Sequence, residues 1–503
     1  MMSIATTALP LEIAPSRLLL MPLISAAGCV ALADWLFYGW KIGISLPLFF
    51  LALGLIAVAR NRVYASRRVQ ITMSVVFAAV LIALIEDVNI LSVVLGALGT
   101  GFFVMVITAQ EPARWQRYLL EVVTAPFRGP FQFVADLIWQ MRKQDYAWLK
   151  PDSLIAWIVP LGIFAIFVWL FASANPLIEH GLSQIDLHAT LNLLNPSRMA
   201  FWVLLAGVIW PLIFRRSNRR SIPQAEVSAA IDGTPSGQDF FLGARATVRS
   251  LVLFNALFAL QSGLDLTYLW GGASLPDGMS HAEYAHRGAY PLIVTALLAA
   301  GFVLVAMRPG GPAEQSSWIR PLVLVWTGQN VLLVISSILR LDLYVAVYSL
   351  TYLRLAAFIW MALVAAGLLL ILFQIILRQP NSWLLAANAA TLALVLYACC
   401  FIDAPWLVAT YNVEHCREIS GSGANLDVQY LGSLGPQAQL VLESHRNEVP
   451  ALLSALDRQF PDARNALSRA ENWRAWSFRT WRIKRYLANN PGTPPHVSSD
   501  DRG

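Results

Sequence analysis

Charge is scarce in this chain: only 13% of its 503 residues are Asp, Glu, Lys or Arg, about half the share of a soluble domain. Cysteine is scarcer. Cys29, Cys399, Cys400 and Cys416 form no Cys-x-x-Cys pair and no zinc-type spacing. Cys399 or Cys400 could pair with Cys416 only if that end of the chain lies in an oxidising compartment. The phosphate-cradling loop, the dinucleotide glycine fingerprint and the Gly-x-Ser-x-Gly elbow are all missing, so the enzyme classes they mark are disfavoured and no cofactor is expected. No pair of matched, interrupted apolar segments marks a transporter midplane site. The loop at Tyr38-Gly39-Trp40-Lys41 is too short for the acidic pair of polytopic lipid-linked sugar transferases.

What the chain has in abundance is apolar sequence, 57% of all residues. It comes in continuous blocks, not in alternation, which selects helices over barrel strands as the structure that satisfies its own backbone in lipid. Blocks at 18–37, 43–60, 70–86, 89–108, 154–173, 199–214, 248–270, 289–307, 321–340, 353–376 and 383–402 predict an all-α, polytopic transmembrane bundle of about 11 spans. The first block holds Asp34 and runs on into the second, unlike a cleaved signal peptide.

The net charge of +6 points to cytoplasmic loops of a membrane protein and not to nucleic acid. Arg60, Arg62, Arg67 and Arg68 follow the second block, Arg114, Arg117, Arg128, Arg142, Lys143 and Lys150 the fourth, and Arg215, Arg216, Arg219, Arg220 and Arg245 the sixth. Arg308, Arg320 and Arg378 fall on the same side, whereas 86–89 and 174–197 carry no Lys or Arg. A multi-pass protein of a bacterial inner membrane is therefore expected, with its N-terminus cytoplasmic and everything after Phe401 extracytoplasmic.

Five regions follow: a four-span segment at 1–108, a cytoplasmic interfacial stretch at 109–152, a membrane core of about seven spans at 153–402, a small helical extracytoplasmic appendage at 403–490, and a disordered terminus at 491–503. Within 109–152, near-helical apolar spacing broken by Pro126 and Pro130 predicts two short helices on the membrane face. In the appendage Asn425 is placed to cap a helix holding Asp427, Tyr430 and Leu431, and Gly435-Pro436 breaks the chain after it. Trp473, Trp476, Ile483 and Leu487 would share one face of a last helix, either on lipid headgroups or closing the tail's own core.

Ionisable and polar groups within spans are costly, and so become candidate binding residues. Asp265 lies beside Gln261; Gln329, Ser336 and Arg340 share the ninth block, Tyr344 and Tyr348 stack on the Arg340 stripe if that helix continues, and Arg354 opens the tenth block. Glu283, His286 and Arg287 in the preceding loop offer either an acid–base pair or a structural cluster in which Arg340 or Arg287 neutralises Asp265 or Glu283. The His281, Glu283, His286 spacing is not that of a metal site.

Three stretches are similar to a bacterial family of polytopic membrane proteins known as a domain of unknown function. They are Leu275-Pro276 with Glu283-Tyr284-Ala285-His286-Arg287-Gly288 and Tyr290-Pro291-Leu292; Arg340, Tyr344, Tyr348, Leu350-Thr351 and Arg354 leading to Trp360; and Tyr411-Asn412-Val413, Asp427, Tyr430-Leu431 and Trp473-Arg474-Ala475-Trp476. The resemblance covers most of the chain from about 150 onward. It implies an integral membrane protein and no assigned activity. Three functions stay open. One is a non-enzymatic role in envelope sensing, assembly or partner regulation, with the lipid bilayer around it and an envelope protein met through 403–490. The others are a permease for a small or amphipathic solute, and a membrane enzyme using Glu283 and His286 on a lipid-linked substrate.

Overall fold

A computed structural model describes residues 20–110, 113–143, 195–215, 244–267, 317–445 and 472–489, with a few single positions between them. Every regular element among them is helical. In chain order these begin with α1 (Leu20–Phe37), α2 (Ser45–Arg60), α3 (Arg67–Glu86), α4 (Ile90–Thr108), α5 (Trp115–Lys143) and α6 (Pro196–Ile213). Next come α7 (Ala244–Asp265), α8 (Ile319–Tyr348), α9 (Tyr352–Leu377) and α10 (Asn381–Cys399). Eight helices, all of these but α2 and α5, are long and apolar enough to cross a membrane. The apolar α2 has 16 residues, a length of about 24 Å. Apart from a few single positions, the expected spans 154–173 and 289–307 lie outside the described residues.

Local chemistry starts and stops these helices. Asn89 and Ser92 cap α4 reciprocally, each side chain bonding the other's backbone N–H at 3.0 Å. Asn195 caps α6, and Pro196 supplies a first residue with no N–H to lose. Arg378 ends α9 in the left-handed region, and Pro380 leads into α10. In one respect local chemistry misleads: Pro126 and Pro130 sit inside a single helix, α5, where two short ones were expected. Packing overrides the missing donors. Gly129 of α5 meets Gly207 of α6 so closely that a Cβ at Gly129 would stand 2.2 Å from the Gly207 carbonyl oxygen, and Trp210 Nε1 donates to the buried Asp136 at 2.9 Å.

The chain divides into two compact units. The first is Met1–Arg219 with Glu471–Trp481, the second Arg220–Ala470 with Arg482–Gly503. In the first, α1, α2 and α6 pack through Cys29, Ala33, Leu36, Leu53, Trp210 and Ile213. The α2, α3 and α4 contact is built on Ala57, Leu84 and Val104, with Phe77 stacked on Phe103 at 4.5 Å. Since lipid is as apolar as these side chains, close fit and small residues hold such contacts, more than escape from water.

In the second unit α7, α8 and α9 meet around Trp326, whose ring lies 5.2, 5.8 and 5.6 Å from Phe254, Phe258 and Phe302. At one end of that bundle sit α11 (Ala404–Glu414), α12 (Arg417–Ser420), α13 (Val428–Ser433) and α14 (Pro436–Ser444). They pack on the α8–α9 turn through Val345, Leu350, Val408, Val413, Leu431 and Leu442. The cap of α13 is Asp427, accepting from the Tyr430 N–H at 2.9 Å, and not Asn425. A carboxylate immediately before the helix reaches an open N–H that Asn425, two residues earlier, does not.

Residues 472–481 pack within the first unit. Trp473–Ala475 form a 3-10 turn, and the last helix, α15 (Phe478–Asn489), begins beyond both tryptophans. The Trp476 carbonyl accepts from the Ile44 N–H at 2.7 Å, and Gly43 lies under the Ala475 backbone with no space for a Cβ.

Candidate functional site

The polar residues of α7 and α8 converge. The carboxylate of Asp265, at the end of α7, accepts from the Arg340 guanidinium of α8 and, at 3.0 Å, from Gln261 Nε2 one turn earlier. Asp265 is 1% and Arg340 3% exposed. Arg340, one of the two partners open to Asp265 from sequence, meets it here. Each charge offsets the other, and without that an ion at such depth would be prohibitively expensive. Arg340 lies 21 residues into the 30-residue α8, about 32 Å from its start. That places the pair near the far edge of a hydrocarbon layer about 30 Å thick.

Towards the middle of the same helices, Gln329 Nε2 donates to the Asn255 carbonyl at 3.3 Å, and Asn255 Nδ2 reaches the Leu322 carbonyl at 3.1 Å. Asn255 Oδ1, Ser262 Oγ and Gln329 Oε1 are buried with no hydrogen-bond partner among the described residues. Ser336 is buried on α8; its neighbour Ser337 bonds back to the Leu333 carbonyl at 2.8 Å.

Helix α8 continues past Arg340 to Tyr348, so the expected stripe forms, with Tyr344 and Tyr348 rings 4.7 Å apart. Arg354 lies over the Tyr344 ring at 4.5 Å while its guanidinium donates to the Tyr348 and Ser349 carbonyls. Those carbonyls are freed by a strained turn: Ser349 has φ 65 and ψ 165, a region that costs a non-glycine residue about 1–3 kcal/mol. Asn412 of α11 clamps the next residue from the other side. It accepts from the Leu350 N–H at 2.6 Å and donates to the Leu350 carbonyl at 2.8 Å. The Tyr430 hydroxyl accepts from the Tyr352 N–H at 3.0 Å. Arg354 thus braces the Ser349 turn from one side, and Asn412 and Tyr430 fasten α11 and α13 to the residues that follow it.

Glu283, His286 and Arg287 lie outside the described residues. Among the described residues no group of three His, Cys, Asp or Glu side chains could hold a metal ion. The four cysteines are thiols, not disulfides. Burial holds the Cys416 thiol above its ordinary range.

Several polar contacts were invisible in the sequence. Asp34 of α1 is bound by Arg198 of α6, with Nε to Oδ1 at 2.7 Å, and by Trp202 Nε1 at 2.9 Å. Arg479 of the tail segment meets Asp87 at 3.0 Å and Glu86 at 3.7 Å. Arg474, 8% exposed, is enclosed by the rings of Trp35, Trp40 and Trp473 at 4.6, 5.0 and 5.1 Å. The one available signal was Asp34 itself, an acid inside an apolar block that demands a cation from elsewhere.

Eight long apolar helices that pack through buried apolar contacts and a buried ion pair define an integral, multi-pass α-helical membrane protein. The chain belongs to the family described as a domain of unknown function, DUF4153, whose model matches residues 72–445. The match begins well before residue 150, where the resemblance was expected to start, and ends before Trp473-Arg474-Ala475-Trp476. No curated protein and no solved structure matches the chain.

Proposed function

We propose that this protein sits in a bacterial inner membrane with its N-terminus cytoplasmic and 403–490 extracytoplasmic, and works by contact in envelope sensing, assembly or partner regulation. Orientation is supported within the first unit. Exposed Arg60, Arg62, Arg67 and Arg68 surround the α2–α3 junction, while the opposite helix ends, at 38–44 and 86–89, hold residues 472–481. A phosphatase fusion at Asn425 tests it: activity is expected, and a silent but membrane-inserted fusion overturns it.

The contact role rests on one observation. Arg340 and Arg354 are both engaged in structural contacts, the first with Asp265 and the second with the Ser349 turn on which Asn412 and Tyr430 hold α11–α14, which favours a mount over an open path. The mount presents exposed Glu414, His415, Arg417, Glu418 and Asp427, the surface offered to an envelope protein. Photo-crosslinking residues introduced at Glu418 and Asp427 of the full chain in cells are expected to give discrete adducts; none at either site, with normal membrane insertion, overturns the reading.

A permease for a small or amphipathic solute is the second reading, favoured by the buried polar atoms of Asn255, Ser262 and Gln329. Solute flux in proteoliposomes that is lost in Gln329→Leu establishes it.

A further inference from the structure

Helix α5 carries an apolar face that no described element covers. Leu120, Val123, Phe127, Phe131, Val134 and Ile138 are all exposed, Phe127 by 75% and Phe131 by 79%. At about 100° per residue these six fall within one narrow stripe. The opposite side, with Tyr118, Val122, Ala125, Gly129 and Asp136, is buried against α4 and α6: a Cβ on Gly101 of α4 would touch Val122, and Gly129 meets Gly207. Between stripe and buried side runs a polar flank with Arg117, Glu121, Thr124, Arg128 and Gln132.

The helix starts at the membrane face defined by the α2–α3 loop. The Tyr64 N–H donates to the Ile107 carbonyl at 3.1 Å, Arg215 Nη1 to Thr108 Oγ1 at 2.9 Å, and Arg215 Nη2 reaches Glu121 at 3.5 Å. The charge of that face is one-sided. Arg60, Arg62, Arg67 and Arg68 are exposed there, as are Arg114, Arg117 and Arg128. Glu121 is shared between Arg117 and Arg215, and Asp136 is buried on Trp210.

We infer that α5 is an in-plane membrane element. Its stripe enters the leaflet to the depth of the upper acyl chains, and its Arg117–Arg128 flank holds anionic phospholipid headgroups. A stripe this apolar needs hydrocarbon, and arginines beside it complement phosphate. Arg117 and Arg128 are about 16 Å apart along the axis, room for separate headgroups. The Gly129–Gly207 crossing fixes the helix's rotation, so the stripe faces lipid because tertiary packing turns it there.

Two measurements on the full chain test this. Nitroxides are placed by Phe127→Cys, Phe131→Cys and Arg128→Cys in a background with Cys29, Cys399, Cys400 and Cys416 replaced, reconstituted in vesicles of equal phosphatidylglycerol and phosphatidylcholine. Labels at 127 and 131 are expected to lie about 5–10 Å below the phosphates, open to oxygen and closed to a water-soluble nickel chelate, with 128 the reverse. Native mass spectrometry of protein released from the same lipids is expected to show retained phosphatidylglycerol, lowered on the order of tenfold in R117Q/R128Q. Labels at 127 and 131 open to the chelate, or closed to both reagents because protein covers them, overturn the in-plane assignment. Correct depth with unchanged phosphatidylglycerol retention overturns the headgroup assignment.

Discussion

Removing Asp265 alone is expected to destabilise the second unit more than removing it together with Arg340. In Asp265→Ala the guanidinium, 3% exposed, loses its carboxylate partner at Asp265. Stranding one member of a buried pair costs about 3–5 kcal/mol; the pair's place near the edge of the hydrocarbon layer makes the lower end of that range, about 3 kcal/mol, the working figure. Arg340→Met strands the carboxylate instead, with Gln261 as one remaining donor at 3.0 Å, so its penalty should be somewhat smaller. The double variant Asp265→Leu/Arg340→Met removes both charges of this pair, and exchanging a buried pair for apolar groups is often neutral. It should therefore recover more than half of either single loss. The assay is a double-mutant cycle on detergent-purified full-length protein, with unfolding followed by intrinsic fluorescence in denaturant. Single variants within about 0.5 kcal/mol of wild type, or losses that simply add in the double, would refute the claim that the two charges sustain one another.

The mount yields further expectations. Asn412→Leu deletes both bonds to Leu350 and leaves the Leu350 groups buried, a cost of about 1–3 kcal/mol that should appear as faster hydrogen exchange in 404–444 with α1–α4 unchanged. Arg474→Ala empties the Trp35, Trp40 and Trp473 enclosure, worth about 2 kcal/mol when desolvated; protease cutting near residue 472 should rise severalfold, and unchanged cutting would remove the clasp. Cys416, 2% exposed with its thiol pushed above the ordinary range by burial, should resist maleimide until the protein is unfolded. Because the unfolded thiol ionises first, near pH 8.5, its contribution to stability is complete below that pH and falls as pH rises towards the folded value. A Cys416→Ala variant should lose that alkaline slope.

Much of the architecture was legible along the chain. Nine of the expected spans correspond to described helices, because an apolar block long enough for lipid has almost no alternative to becoming a helix. Spacing placed Tyr344 and Tyr348 on the Arg340 stripe provided the helix ran on past 340, and α8 does. What misled were local rules that packing outvotes. Pro126 and Pro130 looked like breaks, yet α5 runs through them against α6. Asn425 looked like a cap, yet Asp427 stands where the N–H is open. Pairing was the least legible feature. Asp34 and Arg198 are 164 residues apart and Arg479 and Asp87 are 392 apart, and a single sequence carries no record of such distances.

Composition and periodicity by themselves determined that this chain is a multi-pass helical membrane protein, since the cost of an unpaired backbone in hydrocarbon dictates that much from local information. Which charge meets which was decided only in three dimensions. A buried ion is tolerated solely where a distant residue neutralises it, and the fold alone determined that Arg340 reaches Asp265, that Asn412 clamps the Ser349 turn, and that residues 472–481 return to the first four helices.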